Sequence, residues 1–217
     1  MEKIKFQNKS EFRHHSKEKL TKLHNTYSKD KRVTQEILER LKKLKIRSLL
    51  LYISLEIEVD MRKIITVCRR KYKVFVPFME GVSFKVVKYR LPLYTKRFNI
   101  KEPQNSFAIK PKIDLAIVPI IGVDGAFKRI GFGKGMYDRF FESLSFKPTI
   151  WFVQREMCFT QTILSEQHDI EADIYLTPYK TMIKRGTNGF RVTSSRCRSS
   201  KRCRRVHHRQ KDGSGKL

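Results

Sequence analysis

A glycine-rich, basic stretch at residues 122–141 holds the side chains of this sequence that are best suited to chemistry. Gly131, Gly133 and Gly135 alternate through it, and glycines leave backbone N–H groups uncovered, so that an anion can approach the main chain closely. The cations of the stretch are Lys128, Arg129, Lys134 and Arg139. The apolar run at residues 114–121 predicts a strand before it, and helical apolar spacing follows it, so a helix N-terminus adds positive charge. The stretch is therefore predicted to bind phosphate.

Asp138, in the first turn of that predicted helix, is a candidate metal ligand. A carboxylate there usually serves only as a favourable partner of the helix dipole. Beside a polyphosphate it is repelled unless a divalent cation intervenes, and Mg²⁺ takes one or two carboxylates plus substrate phosphates. The simpler alternative is a structural turn with solvated cations. The stretch is not a P-loop, because Lys128 replaces the first glycine and no Ser or Thr follows Lys134. It is not a dinucleotide fingerprint either, because Met136 replaces the third glycine.

The stretch resembles the signature of the 5-formyltetrahydrofolate cyclo-ligase family, also called methenyltetrahydrofolate synthetases. The family loop has the form D-x-x-G-x-R-L-G-[YFR]-G-x-G-Y-Y-D, and this sequence follows it from Asp124 through Arg129 to Asp138. Two departures bear on the site. Phe127 stands where the family usually has a glycine, and Met136 replaces the first tyrosine. We expect the first departure to alter the turn and the second to alter contacts to the ligand.

The start of the chain carries a second resemblance. The family opens with K-x-x-x-R, which contacts the nucleotide phosphates, and KSEFR here supplies Lys9 and Arg13 at the matching place. Residues four apart leave one face of a helix, so the two cations can hold one anion together. On charge alone, two basic residues on a helix are more often solvated. The resemblance implies the phosphate-binding role.

Two further segments match the family pattern. YISLEIEVD at residues 52–60 resembles a segment with folate contacts just past a strand end, which implicates Ile53 and Glu58. EQHDIEADIYLT at residues 166–177 resembles the closing pattern, in which Asp169 aligns with a second magnesium-associated carboxylate. Without the resemblance, Glu58 is more simply a residue at a helix start and Asp169 a turn residue.

The resemblance implies an enzyme that uses ATP and Mg²⁺ to convert 5-formyltetrahydrofolate into 5,10-methenyltetrahydrofolate, ADP and phosphate. The implied catalytic residues are Lys9, Arg13, Arg129 and Lys134. The implied ATP-binding residues are Lys9, Arg13, Arg129, Ile130, Gly131, Phe132, Gly133, Lys134, Gly135, Met136 and Tyr137. The implied substrate-binding residues are Arg13, Ile53, Glu58, Phe132, Lys134 and Met136. The implied magnesium ligands are Asp138 and Asp169.

Strands and helices alternate along the chain. Apolar spacing predicts helices over about 9–27, 30–45 and 61–71, and strands over 48–54, 73–78, 83–89 and 149–153. This alternation predicts an α/β fold with three αβα layers and a mostly parallel central sheet, Rossmann-like in architecture. Ligands bind such sheets at the carboxyl ends of the strands, so we expect the site there.

Charge divides the 217 residues in two. The net charge is +27, and residues 185–217 carry +10 in an Arg/Ser-rich segment with almost no apolar side chains. We predict one cyclo-ligase-like domain at 1–184 and a disordered basic tail at 185–217, so a cut near Ile183 is expected to leave activity intact. The alternative function is non-specific nucleic-acid binding through the basic body and tail. A third is a relative that binds folate without turnover.

The cysteines and the apolar segments of the sequence indicate where in the cell the protein is expected. The 4 cysteines show neither paired metal spacing nor a disulfide framework. The first residues lack the apolar segment of a signal peptide, and no apolar run approaches membrane-spanning length. A cytoplasmic monomer without a membrane partner is expected.

Overall fold

The computed structural model describes residues 5–95, 101–104, 111–185 and 189–194. Its helices are α1 Lys9–Thr21, α2 Thr26–Leu41, α3 Arg62–Cys68 and α4 Met136–Glu142. Its strands are β1 Ser48–Leu50, β2 Lys73–Glu80, β3 Ser83–Lys88, β4 Leu93–Thr95, β5 Lys101–Pro103, β6 Leu115–Pro119, β7 Gly122–Val123, β8 Arg129–Ile130, β9 Thr149–Val153, β10 Ile174–Leu176, β11 Lys180–Arg185 and β12 Gly189–Ser194. None of the helices in these ranges is both long enough and apolar enough to cross a membrane.

One large sheet organises the fold. Its eight strands lie in the order β12-β11-β10-β9-β6-β1-β2-β3. The five strands from β10 to β2 run parallel, whereas β3 pairs antiparallel with β2, β11 with β10 and β12 with β11. Two small sheets, β4–β5 and β7–β8, stand beside it. The predicted α/β fold with a mostly parallel central sheet is confirmed.

Helices cover both faces of this sheet. Successive residues of a strand point to opposite faces, so Leu49 lies in one core and Leu50 in the other. The first core takes from α2 and α3 the side chains of Val33, Ile37, Leu41, Ile64, Ile65 and Cys68. The second core takes Phe140 of α4. Full burial of one such side chain contributes about 1.5–3 kcal/mol.

Helix α1 lies against the signature loop and not on either face of the sheet. Its Phe12 and Leu20 form a third core with Ile121 and Ile130. Asn8 caps the helix, because its Oδ1 accepts the N–H of Glu11 at 2.9 Å. The cap and the buried face together fix where the basic side chains of α1 point.

The strand predicted at 48–54 ends at Leu50. The hydroxyls of Tyr52 and Ser54 both donate to the carbonyl oxygen of Val59, at 3.0 and 2.8 Å. These bonds close residues 52–59 into a loop at the end of β1. Apolar composition did not reveal this turn, because the loop is as apolar as the strand.

The central sheet continues past the predicted domain boundary at residue 184. Strand β11 ends at Arg185, and β12 pairs with it from Lys180↔Ser194 to Arg185↔Gly189. The sheet therefore continues to Ser194, inside the segment predicted to be a disordered tail. The charged composition concealed β12, because an edge strand needs few buried side chains. The rest of the predicted tail, residues 186–188 and 195–217, lies outside the described residues.

Candidate active site

A cavity of about 240 Å³ lies at the carboxyl ends of the parallel strands. It is lined by Tyr52, Ile53, Leu55, Glu58, Pro77, Met79, Pro119, Arg129, Phe132, Lys134, Gly135, Met136 and Tyr137. The residues after β1, the end of β2 and the end of β6 supply one part of this lining, and the signature loop supplies another. This is the edge of the sheet where ligands of open α/β folds bind.

The signature loop is a small hairpin fixed by one buried carboxylate. Strands β7 and β8 pair antiparallel, and Asp124 lies in the turn between them. Its Oδ1 accepts the N–H groups of Ala126 and Lys128, each at 3.1 Å. Its Oδ2 accepts those of Leu164 and Ser165, at 2.9 and 2.8 Å. Asp124 thereby joins the loop to the segment that precedes the closing motif.

Arg129 forms part of the cavity wall and is only 5% exposed. Its Nε donates to the carbonyl oxygen of Pro119 at 3.1 Å, and its Nη1 lies 3.3 Å from Oδ2 of Asp138. Its guanidinium lies over the ring of Tyr137, 4.9 Å from the centroid. A Cβ at position 131 would come within 2.2 Å of the Arg129 Nη1, so only glycine lets this side chain pass.

The two cations of α1 reach both motifs. Nε of Arg13 donates to the carbonyl oxygen of Gly131 at 2.9 Å. Nζ of Lys9 bonds Asp169 at 2.5 Å and Glu166 at 3.1 Å. Partial burial lowers the pKa of Lys9, but the hydrogen bonds to these two carboxylates outweigh it, so the pKa is raised and the ammonium is kept charged. The structure thus joins the predicted phosphate clamp to the glycine-rich loop and to the closing motif.

Among the residues that the structure describes, Glu58 is the one carboxyl in the cavity lining. Its side chain is almost fully buried, and burial raises the pKa of Glu58 to about 7. The N–H of Leu55, which donates to Oε2 at 2.8 Å, opposes this rise, as do the positive charges of Arg129 and Arg155. A carboxyl that titrates near neutrality can accept hydrogen bonds from ring N–H groups or donate one.

Asp138 and Asp169 line one open cleft beside the cavity. Asp138 is held by Arg129 and by the N–H of Ile170, which donates to Oδ1 at 3.3 Å. Asp169 accepts from Lys9 and, at 2.6 Å, from the N–H of Glu166. The described residues include no group of three or more His, Cys, Asp or Glu that could hold a metal ion. This donor set fits Mg²⁺ only when phosphate oxygens supply the other ligands, which is its usual binding in nucleotide complexes.

The structure brings most of the predicted substrate residues together. Ile53, Glu58, Phe132, Lys134 and Met136 all line the cavity, whereas Arg13 contacts the loop from outside the lining. Among the residues predicted to bind ATP, Ile130 has a side chain that is fully buried in the third core, so only its backbone can face a ligand. Gly133 has φ of +98°, which favours glycine, and a Cβ added there would lie 3.8 Å from the Arg13 guanidinium.

Sequence reasoning missed several lining residues. They are Tyr52, Leu55, Pro77, Met79 and Pro119. Each lies at or just past the end of a parallel strand, which is the signal that could have found them. Their apolar types gave no other indication, because the same residues are common in a core.

Proteins of known structure share the fold described above. The model of the 5-formyltetrahydrofolate cyclo-ligase family matches residues 5–178. The fold is similar to the NMR structure of Aquifex aeolicus 5,10-methenyltetrahydrofolate synthetase, at 23% identity and TM-score 0.66, covering 92% of this chain and 98% of that one. It is also similar to a 5,10-methenyltetrahydrofolate synthetase from Mycoplasma pneumoniae, at 18% identity and TM-score 0.60, covering 78% of this chain and 98% of that one. A search of curated protein sequences found no match. Because the family model spans well over half of its length, the chain belongs to the 5-formyltetrahydrofolate cyclo-ligase family.

Proposed function

We propose that the protein converts 5-formyltetrahydrofolate into 5,10-methenyltetrahydrofolate with ATP and Mg²⁺, releasing ADP and phosphate. Family membership supports the cyclo-ligase reaction. The observation that carries the proposal is the mixed chemistry of one cavity. Glu58 and apolar side chains suit a flat ring with N–H donors, whereas Arg129 and Lys134 suit phosphate.

The reaction needs activation of a formamide, because its oxygen is a poor leaving group. Transfer of the γ-phosphoryl group of ATP to the formyl oxygen releases ADP and makes that oxygen part of a phosphate. The neighbouring amine nitrogen then attacks the formyl carbon, the C–O bond breaks with its electron pair leaving on phosphate, and the amine proton passes to solvent. No side chain has to act as a nucleophile, so positioning and charge stabilisation are the protein's contribution.

The residues divide by role on this proposal. The cations Lys9, Arg13, Arg129 and Lys134 neutralise phosphate charge. Ile53, Glu58, Phe132 and Met136 contact the folate. Asp138 and Asp169 hold Mg²⁺, which when bound would neutralise phosphate charge.

The direct test is the absorbance of methenyltetrahydrofolate after 5-formyltetrahydrofolate and ATP are added to the full chain with Mg²⁺. We expect product only when ATP is present, with one ADP formed for each ring closed. Absence of an ATP-dependent product contradicts the proposal. Binding of both ligands without product would instead identify a relative that has lost turnover.

A second function is favoured by one surface far from the cavity. The loops that precede β1 and β2, together with the first residue of β2, carry the basic edge: Lys42, Lys43, Lys45, Arg47, Arg69, Arg70, Lys71 and Lys73. All eight are exposed, and the two loops are adjacent because the N–H of Lys73 donates to the carbonyl oxygen of Arg47 at 2.9 Å. Within the described part of the chain, none of the eight forms an ion pair. We propose that this edge binds the phosphates of nucleic acid without sequence preference.

A further inference from the structure

Phe127 lies in a backbone conformation that its side chain does not favour. Its φ is +60°, in the left-handed region where glycine is the usual residue, and the family signature has a glycine at this position. The side chain is nevertheless only 3% exposed. A bulky residue in this region persists only where the surroundings hold it. Neighbouring side chains must therefore cover the Phe127 ring.

The cover comes from the C-terminal strand. The ring of Phe190 in β12 stacks on that of Phe127, with centroids 5.8 Å apart and planes at 15°. The ring of Phe159 meets Phe190 edge-on, at 5.3 Å and 73°. We call Phe127, Phe159 and Phe190 the aromatic clasp. Phe190 lies beyond residue 178, where the family match ends.

The hairpin that carries Phe190 is anchored to the sheet. Strand β11 pairs with β10, and its Met182 is buried in the second core. Nζ of Lys184 lies 2.6 Å from Oε1 of Glu171, and Glu171 forms a β-bridge with Lys128. The hairpin therefore contacts the signature loop at two neighbouring points, one aromatic and one through Glu171.

The same segment of backbone contacts both Phe127 and Arg129, which forms part of the cavity wall. The N–H of Arg129 donates to the carbonyl oxygen of Ile170 at 2.7 Å, and the N–H of Ala172 donates to that of Phe127 at 3.2 Å. Phe127 and Arg129 are thus held by the same backbone segment, with Phe190 covering the first of them. Arg129 begins β8 two residues after Phe127, so the backbone of Phe127 is the connection between the hairpin and Arg129.

We propose that the β11–β12 hairpin, through the aromatic clasp, positions Arg129 for phosphate neutralisation. Phe190 and Phe127 are positioning residues, since neither lines the cavity. This inference rests on the proposed function for its effect on turnover, but the placement of Arg129 can be measured without it.

The first experiment measures placement. In the full chain, the Phe190→Ala variant should lose at least tenfold in hydrogen-exchange protection at the Arg129 amide. Val192→Ala is the matched control, because Val192 is an exposed apolar residue two positions along β12 and faces the same way. Equal protection of the Arg129 amide in Phe190→Ala and the parent chain overturns the proposal, whether or not the protein turns over substrate.

The second experiment measures turnover below the melting temperature of every variant. Phe190→Ala should lower kcat about tenfold while the KM for folate stays within twofold, and Phe190→Tyr should restore kcat because it keeps the ring. In a Phe127→Gly background, Phe190→Ala should change kcat no further, since no ring remains to be covered. A fall in kcat that Phe190→Tyr does not rescue, or that Val192→Ala matches, contradicts positioning by the clasp. An inactive parent chain refutes the proposed function, and the clasp is then decided by hydrogen exchange.

Discussion

Lys134 tests whether the glycine-rich loop acts on phosphate. It is exposed and lines the cavity, so its replacement removes a charge and little packing. Lys134→Ala should lower kcat/KM at least tenfold, which is about 1.4 kcal/mol of barrier, with the melting temperature nearly unchanged. Lys42→Ala, on the basic edge, is the control and should leave both kcat/KM and the melting temperature unchanged. Near-normal turnover in Lys134→Ala would mean that the loop is a structural turn.

Glu58 makes stability depend on pH in a predictable direction. Its pKa is about 7 in the folded protein and 4.5 ordinarily, so between these values the folded state holds a proton that the unfolded chain releases. Stability therefore falls as pH rises through this window, by up to about 3 kcal/mol. Glu58→Gln should raise the melting temperature relative to the parent at pH 8 but not at pH 4.5. Thermal unfolding of this variant and of the exposed control Glu56→Gln checks this prediction. An equal shift of the melting temperature of Glu58→Gln at both pH values contradicts the prediction.

Individual site residues were predictable only where chemistry or motif marked them. The glycines around Lys134 predicted phosphate binding, and the family resemblance implied the same role for Lys9 and Arg13. In the structure Arg13 contacts the glycine-rich loop and Lys9 contacts the closing motif. Pro77 and Met79 could not be predicted, because they reach the cavity through sheet order, which no local pattern contains. Phe127 has a positive φ and stacks on Phe190, which is remote in sequence, so no local pattern indicates this contact.

Helices and strands with strong apolar periodicity were predicted well. The short hairpin and the edge strand were not. Strand β9 has the predicted bounds Thr149–Val153, because a buried central strand is a continuous apolar run. The hairpin β7–β8 and strand β12 escaped prediction. Each strand of the hairpin has only two residues, and β12 is mostly exposed, so neither shows an alternating burial pattern.

The β11–β12 hairpin changes the expected effect of truncation. A chain ending at Ile183 loses β12 and the Phe190 ring, so we expect a loss of about 2 kcal/mol or more, or roughly 4–8 °C in melting temperature. A chain ending at Ser194 keeps all twelve described strands and should match the full chain in melting temperature and turnover. Thermal unfolding of the two truncated chains decides this. Equal melting temperatures would show that the hairpin is dispensable, as the charged composition alone suggested.

The two proposed anion-binding surfaces lie at opposite edges of the central sheet. The cavity lies at the carboxyl ends of the parallel strands, whereas the basic edge precedes β1 and β2 and so lies at the opposite edge of the sheet. Charge at one edge can therefore be changed while the other stays intact. Phosphate contacts made by the basic edge would add to the slope of log K against log salt, by about 0.9 per contact on duplex DNA.

Replacement of Lys42, Lys43, Arg69 and Arg70 by Gln should lower that salt slope and weaken nucleic-acid binding, with ATP-dependent ring closure unchanged. The control replaces four exposed lysines spread over the surface, Lys31, Lys101, Lys147 and Lys180, and changes the net charge equally. If binding depends only on net charge, both variants weaken to the same degree and the basic edge is not a site. Because phosphates contact a surface locally, we expect the clustered variant to lose the larger part of the slope, measured by fluorescence anisotropy of a labelled duplex across a salt series.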